Sequence, residues 1–106
     1  MACHLLKAVD GWNDMGLGKF ELGYLRDKDK HEVDFVVVRE GQPWFLVEVK
    51  QHEEAIGPTL KYYQDQLKAP FAFQAVMDAD YVEADCFSKP RGPVAVPAKT
   101  FLSQLL

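Results

Sequence analysis

Residues 31–50 read HEVDFVVVREGQPWFLVEVK, two runs of alternating side chains around a short loop, Glu40-Gly41-Gln42. Such alternation marks paired β-strands and fixes which side chains share a face. In the first run Glu32, Asp34, Val36 and Val38 point one way and Val33, Phe35 and Val37 the other. In the second, Trp44, Leu46, Glu48 and Lys50 oppose Phe45, Val47 and Val49. A three-residue loop sets Arg39 opposite Pro43. Counting along the ladder then places Asp34 directly across from Glu48, and Glu32 across from Lys50.

Like charges at directly opposed positions, with Cβ atoms about 4.5–5.5 Å apart, destabilise a sheet. A divalent cation relieves the repulsion, since Mg²⁺ or Mn²⁺ is commonly held by one or two carboxylates plus water and phosphate oxygens. Lys50, two residues beyond Glu48, stands beside such an ion. There Lys50 can orient a water, deprotonate it as a neutral amine, or as an ammonium neutralise charge on a scissile phosphate. The plainer alternative is a set of edge charges that discourage aggregation, with Glu32 and Lys50 forming a surface ion pair worth about 0–1 kcal/mol. The apolar surroundings, VDFVVV and FLVEVK, favour a site, because a charge inside an interior run needs a partner.

Outward from this hairpin, Ala2 to about Trp12 reads as a short helix with Leu5, Leu6 and Val9 on its apolar side. Lys19 to Arg26 alternates as a strand that turns through Asp27-Lys28-Asp29-Lys30 into the Asp34 strand, making a three-stranded antiparallel meander. Pro58 suits the first turn of a helix running to Leu67. Its Tyr62, Tyr63, Gln64 and Gln66 can line a nucleic-acid groove or pack against the sheet. Pro70 to Met77 is a buried strand, and reaching it through a helix calls for a parallel crossover. Tyr81 to Phe87 reads as a further short strand, Ser88 to Pro97 as a loop, and Ala98 to Leu106 as a terminal helix. Phe101, Leu102, Leu105 and Leu106 of that helix cover the sheet or meet a partner. The fold class is α/β, in a single domain over residues 1–106.

With 106 residues, 48% of them hydrophobic, the chain can close one core but not two. Its 12 basic against 16 acidic residues give a net charge of −4, which speaks against broad phosphate-backbone binding. Any DNA or RNA contact is therefore local to a metal, or leans on basic surface in another domain. Arg26, Lys28 and Lys30, interleaved with Asp27 and Asp29, read as a polar turn. Cys3 and Cys86 form neither a CxxC site nor a disulfide framework, and His4, His31 and His52 lack ligand spacing. Gly16-Leu17-Gly18-Lys19 runs into Phe20 rather than Ser or Thr, so no ATP site is encoded here. No Ser or Cys nucleophile setting is recognisable. Without a membrane-length apolar run or a signal-peptide pattern, a cytoplasmic location is expected.

Asp34, followed after a hairpin by Glu48-Val49-Lys50, resembles the D…(D/E)xK signature of the PD-(D/E)xK nuclease-like superfamily, which includes restriction enzymes and Holliday-junction resolvases. The longer stretches YLRDKDKHEVDF (24–35) and WFLVEVK (44–50) are similar to the uncharacterised C-terminal domain of prokaryotic AAA+ type ATPases. The similarity runs from His4 to about Val76. It implies a restriction-endonuclease-like core whose order is helix, three-stranded antiparallel meander, crossover helix and a further strand. It also implies Asp34 and Glu48 as ligands of Mg²⁺ or Mn²⁺, Lys50 as the catalytic lysine, Glu32 as a supporting acid, and an AAA+ ATPase domain in the same protein. Members usually carry one more Glu on the helix before the first strand. Asp10 and Asp14 lie near the C-terminal end of the helix here, so that Glu is expected upstream of Met1 and the chain is expected to be the C-terminal part of a longer protein. Two functions follow as expectations: a metal-dependent nuclease hydrolysing phosphodiester bonds, or a noncatalytic regulatory module of the ATPase. A simple dimerisation unit is a third.

Overall fold

Residues 35–37 and 45–47 of the hairpin are buried on both faces of the sheet, which sets it in the middle of the molecule. The computed structural model describes residues 2–26, 32–52, 55–56, 58–83, 85–87 and 92–105; the side chains of residues 2, 25, 26 and 32–34 are outside that description. Its elements are α1 (Ala2–Asp14), β1 (Phe20–Arg26), β2 (Glu32–Arg39), β3 (Gln42–Lys50), α2 (Pro58–Leu67), β4 (Phe71–Val76), β5 (Val94–Pro97) and α3 (Ala98–Ser103). They form one open five-stranded sheet in the order β1-β2-β3-β4-β5. The first three strands are the expected antiparallel meander, and β4 and β5 each add in parallel. Among the described residues no helix is long and apolar enough to cross a membrane.

Strand alternation divides the core in two. Phe35, Val37, Phe45, Val47, Phe71, Phe73 and Ala75 meet Leu5, Ala8 and Val9 of α1 and Ala98, Phe101 and Leu105 at α3. Val36, Leu46 and Ala72, on the opposite face, pack with Leu60 of α2 and with Ala69. α1 joins the sheet through Asn13, whose Oδ1 accepts from the Phe20 amide at 2.8 Å while its Nδ2 donates to the Phe20 carbonyl at 2.9 Å.

The hairpin differs from the sequence expectation in a compensating way. Its turn contains two residues, Glu40 and Gly41, with φ of 53° and 77°, and Arg39 pairs with Gln42 rather than Pro43. Two successive positive φ values define the turn whose twist matches that of the flanking strands. Glu40 is held in it by Lys19, whose amide donates to the Glu40 carboxylate at 2.8 Å and whose carbonyl accepts from the Glu40 amide at 2.7 Å. A bulge then inserts an extra residue in β3, so that Val38 pairs with Pro43 but Val37 pairs with Phe45. Beyond it Phe35 pairs with Val47, the register the longer loop would have given.

Four other expectations are corrected. The bulge turns Trp44 away from the Glu48 face and into the larger cluster, against Trp12, Phe20 and Phe87. Leu6 is exposed, and Ala8 takes its place on the buried side of α1. The described residues of 81–87 form no strand, because α3 captures their backbone. Thr100 Oγ1 accepts from the Val82 amide and donates to its carbonyl, and Gln104 Oε1 accepts from the Cys86 amide. Within the expected 88–97 loop, Val94–Pro97 pairs with β4 as an edge strand, a place where proline is tolerated.

Candidate functional site

β3 passes from core to charge at its C-terminal end. Leu46 lies in the α2-side cluster, and alternation gives that face to Glu48 and Lys50 as well. Glu48 Oε1 lies 3.1 Å from Lys50 Nζ, with side-chain exposures of 14% and 34% respectively. A carboxylate this sheltered needs a counter-charge, and two positions further along the same strand supply one. The ion pair therefore joins two of the residues singled out from sequence.

Asp34 is the third. The described pairing of β2 with β3 ends at Phe35 and Val47, the sequence neighbours of Asp34 and Glu48. The side chains of Asp34 and of the supporting acid Glu32 lie outside the described residues, as do the 27–31 turn and most of the basic cluster it carries. Among the described residues no three His, Cys, Asp or Glu side chains gather as a metal-binding group.

On the other side of β3, Glu48 is in register with Gln74 of β4. Sequence reading passed over Gln74, although it is the one polar residue in Phe71-Ala72-Phe73-Gln74-Ala75-Val76. It is fully buried, at 0% exposure, and neither Oε1 nor Nε2 has a hydrogen-bond partner. A buried polar group left unpaired costs about 1–3 kcal/mol. Such a residue in the centre of a sheet calls for a reason.

Tyr63 and Gln64, offered as nucleic-acid contacts, face inward. Tyr63 packs on the α2-side cluster, and Gln64 is buried with its Nε2 donating to the Ala69 carbonyl at 3.1 Å. Tyr62, the neighbour of Tyr63, is exposed. Past the strand ends the β3–β4 ladder continues, with the Met77 amide donating to the Lys50 carbonyl and the Asp78 amide to that of Gln51. This brings together His52 Nδ1 and the Asp78 carboxylate, a pairing that their sequence separation concealed.

Trp44 lines a different concavity, of about 440 Å³, with Trp12, Leu17, Phe20, Arg39 and Leu105. Arg39 lies over two of its rings, 5.6 Å from the Trp44 centroid and 5.9 Å from that of Phe20. Cys3 is exposed and Cys86 is buried.

The model of a family described as a domain of unknown function (DUF4143) matches residues 5–97, so the chain belongs to that family. Neither a curated protein nor a solved structure matches the chain.

Proposed function

We propose that this member of the family is a metal-dependent nuclease-like domain in which Asp34 and Glu48 hold Mg²⁺ or Mn²⁺ and Lys50 acts on a scissile phosphodiester of DNA or RNA. The observation that supports the reading is the sheltered Glu48 carboxylate with the Lys50 ammonium 3.1 Å away; continuing the β2–β3 register past Phe35 and Val47 would set Asp34 beside it. The restriction-endonuclease-like core belongs to the same proposal. The helix, meander, helix and parallel-strand order supports it, together with the resemblance of EVDF and LVEVK to the superfamily signature.

The donor chemistry fits a hard divalent cation, which prefers oxygen ligands: two carboxylates, with an amide oxygen in register beside them. When bound, such a cation supplies Lewis acidity and a more acidic water. The chain's own groups do the rest. Asp34 and Glu48 fix the position at which negative charge is met. Lys50 Nζ, leaving Glu48, donates to a non-bridging phosphate oxygen or to the attacking water, adding positive charge where the transition state gains negative charge.

The resemblance also gives the domain a partner, an AAA+ ATPase domain of the same protein. The net charge of −4 favours a second reading, a noncatalytic regulatory module of that ATPase, because strong phosphate-backbone binding draws on Lys and Arg. Cleavage assays separate the two. With Mn²⁺, the nuclease reading predicts cutting of at least one among plasmid DNA, single-stranded DNA and RNA, and a loss of 100-fold or more in Glu48→Gln at unchanged circular dichroism. Intact substrates of all three kinds, for the chain and for the full-length protein, would sink the catalytic reading and leave the regulatory one.

A further inference from the structure

Gln74 needs both an acceptor for Nε2 and a donor for Oε1, and its surroundings narrow where these come from. Its strand neighbours on the same face, Ala72 and Val76, have no polar side-chain atoms. Across the sheet Gln74 is in register with Ala95 on one side and Glu48 on the other. Above it α2 contributes Leu60 and Leu67 to the apolar cluster and also carries Gln64, whose amide nitrogen is committed to the Ala69 carbonyl and whose Oε1 is a further buried acceptor. Glu48 is thus the polar side chain that shares its ladder position.

Resting on the reading of Glu48 as a cation ligand, we propose that Gln74 is the positioning residue of that site. Its Nε2 donates to the Glu48 carboxylate when that carboxylate serves the cation, and its Oε1 accepts from a water of the hydrated ion. The buried amide, which has no hydrogen-bond partner among the described protein groups, finds both partners in the loaded site. Outer groups that orient a metal ligand in this way are commonly worth 10–100-fold in metal affinity. An amide suits the role better than an acid. It adds no third negative charge to a neighbourhood that already contains Asp34 and Glu48 in its sequence.

The test compares wild type with Gln74→Met, which has similar length and no orphaned polar atoms, and with Gln74→Asn, which keeps the amide but shortens its reach. Mn²⁺ affinity is measured from the electron paramagnetic resonance of free Mn²⁺, and thermal midpoints are recorded with and without the metal. The expected result is a higher metal-free midpoint for Gln74→Met, Mn²⁺ affinity at least ten-fold weaker in both variants, and a smaller Mn²⁺-induced rise in midpoint. Should Gln74→Met fail to fold, Gln74→Asn carries the same affinity comparison. Wild-type affinity in a folded variant overturns this role for Gln74 and leaves the Glu48 site standing. Absence of Mn²⁺ binding by wild type overturns both.

Discussion

Phe45→Ala lowers the unfolding free energy by about 3–5 kcal/mol, the usual cost of emptying a large aromatic position in a packed core. Phe45 is fully buried on the α1 and α3 side of β3, with ring centroids 5.0 Å from Trp44, 5.4 Å from Phe87, 5.8 Å from Phe101 and 6.0 Å from Phe73. These neighbours come from β3, β4, α3 and the segment before β5. None can fill the void without losing its own contacts. Domains of this size have about 5–15 kcal/mol of stability in total, so the substitution removes a large share of it. Urea denaturation followed by circular dichroism measures the effect. A loss under about 1 kcal/mol would mean that the aromatic cluster is not packed as described.

Lys50→Met reduces phosphodiester cleavage by about 100- to 1000-fold, the usual consequence of removing one preorganised donor to developing negative charge. Met keeps the length of the aliphatic stem and removes the ammonium group. Mn²⁺ affinity stays within a few-fold of wild type or rises, because Glu48 no longer has its 3.1 Å cationic partner to exchange for the metal. Stability falls, since the sheltered Glu48 carboxylate loses its counter-charge, and the loss is moderated because Lys50 is one-third exposed. Single-turnover cleavage at saturating Mn²⁺ reads the first effect and calorimetry the second. An unchanged cleavage rate would remove Lys50 from the chemistry. Loss of Mn²⁺ binding would make it a structural prop for Glu48 instead.

The sheet was legible wherever the signal was local. Alternation through EVDFVVVR and FLVEVK set both strands and their faces, and Pro58 marked the start of α2. The failures share a cause, which is that distant partners decide the outcome. Glu40-Gly41 closes the hairpin because Lys19, on β1's side of the sheet, binds Glu40 through both its amide and its carbonyl. The bulge that sends Trp44 to the other face serves the aromatic cluster with Trp12 and Phe20, nothing of which is visible in the residues around Trp44. Residues 81–87 alternate enough to suggest a strand, yet Thr100 and Gln104 claim their backbone groups first.

The same division holds at the candidate site. Glu48 and Lys50 are two residues apart on one strand, so period-two alternation is enough to place them together. The two-residue turn and the bulge offset one another, so Phe35 and Val47 pair in the register that the longer loop would have given, while the Asp34 side chain lies outside the described residues. Gln74 could not be placed beside Glu48 from the sequence, because the register of a parallel crossover depends on how α2 seats on the sheet. The available signal was subtler: one amide in a strand otherwise made of Phe, Ala and Val, all of it buried. Such a residue is retained against the preference of a core for apolar side chains, which makes it a marker of sites that local periodicity misses.

Calorimetric titration of Mn²⁺ into wild type and Asp34→Asn needs no substrate and reads the proposed acid pair itself. One saturable site is expected in wild type, with its loss or a weakening of 100-fold or more when the Asp34 carboxylate becomes an amide at nearly constant volume. Equal binding by the two proteins, or no binding by either, would contradict the claim that Asp34 and Glu48 together hold a metal.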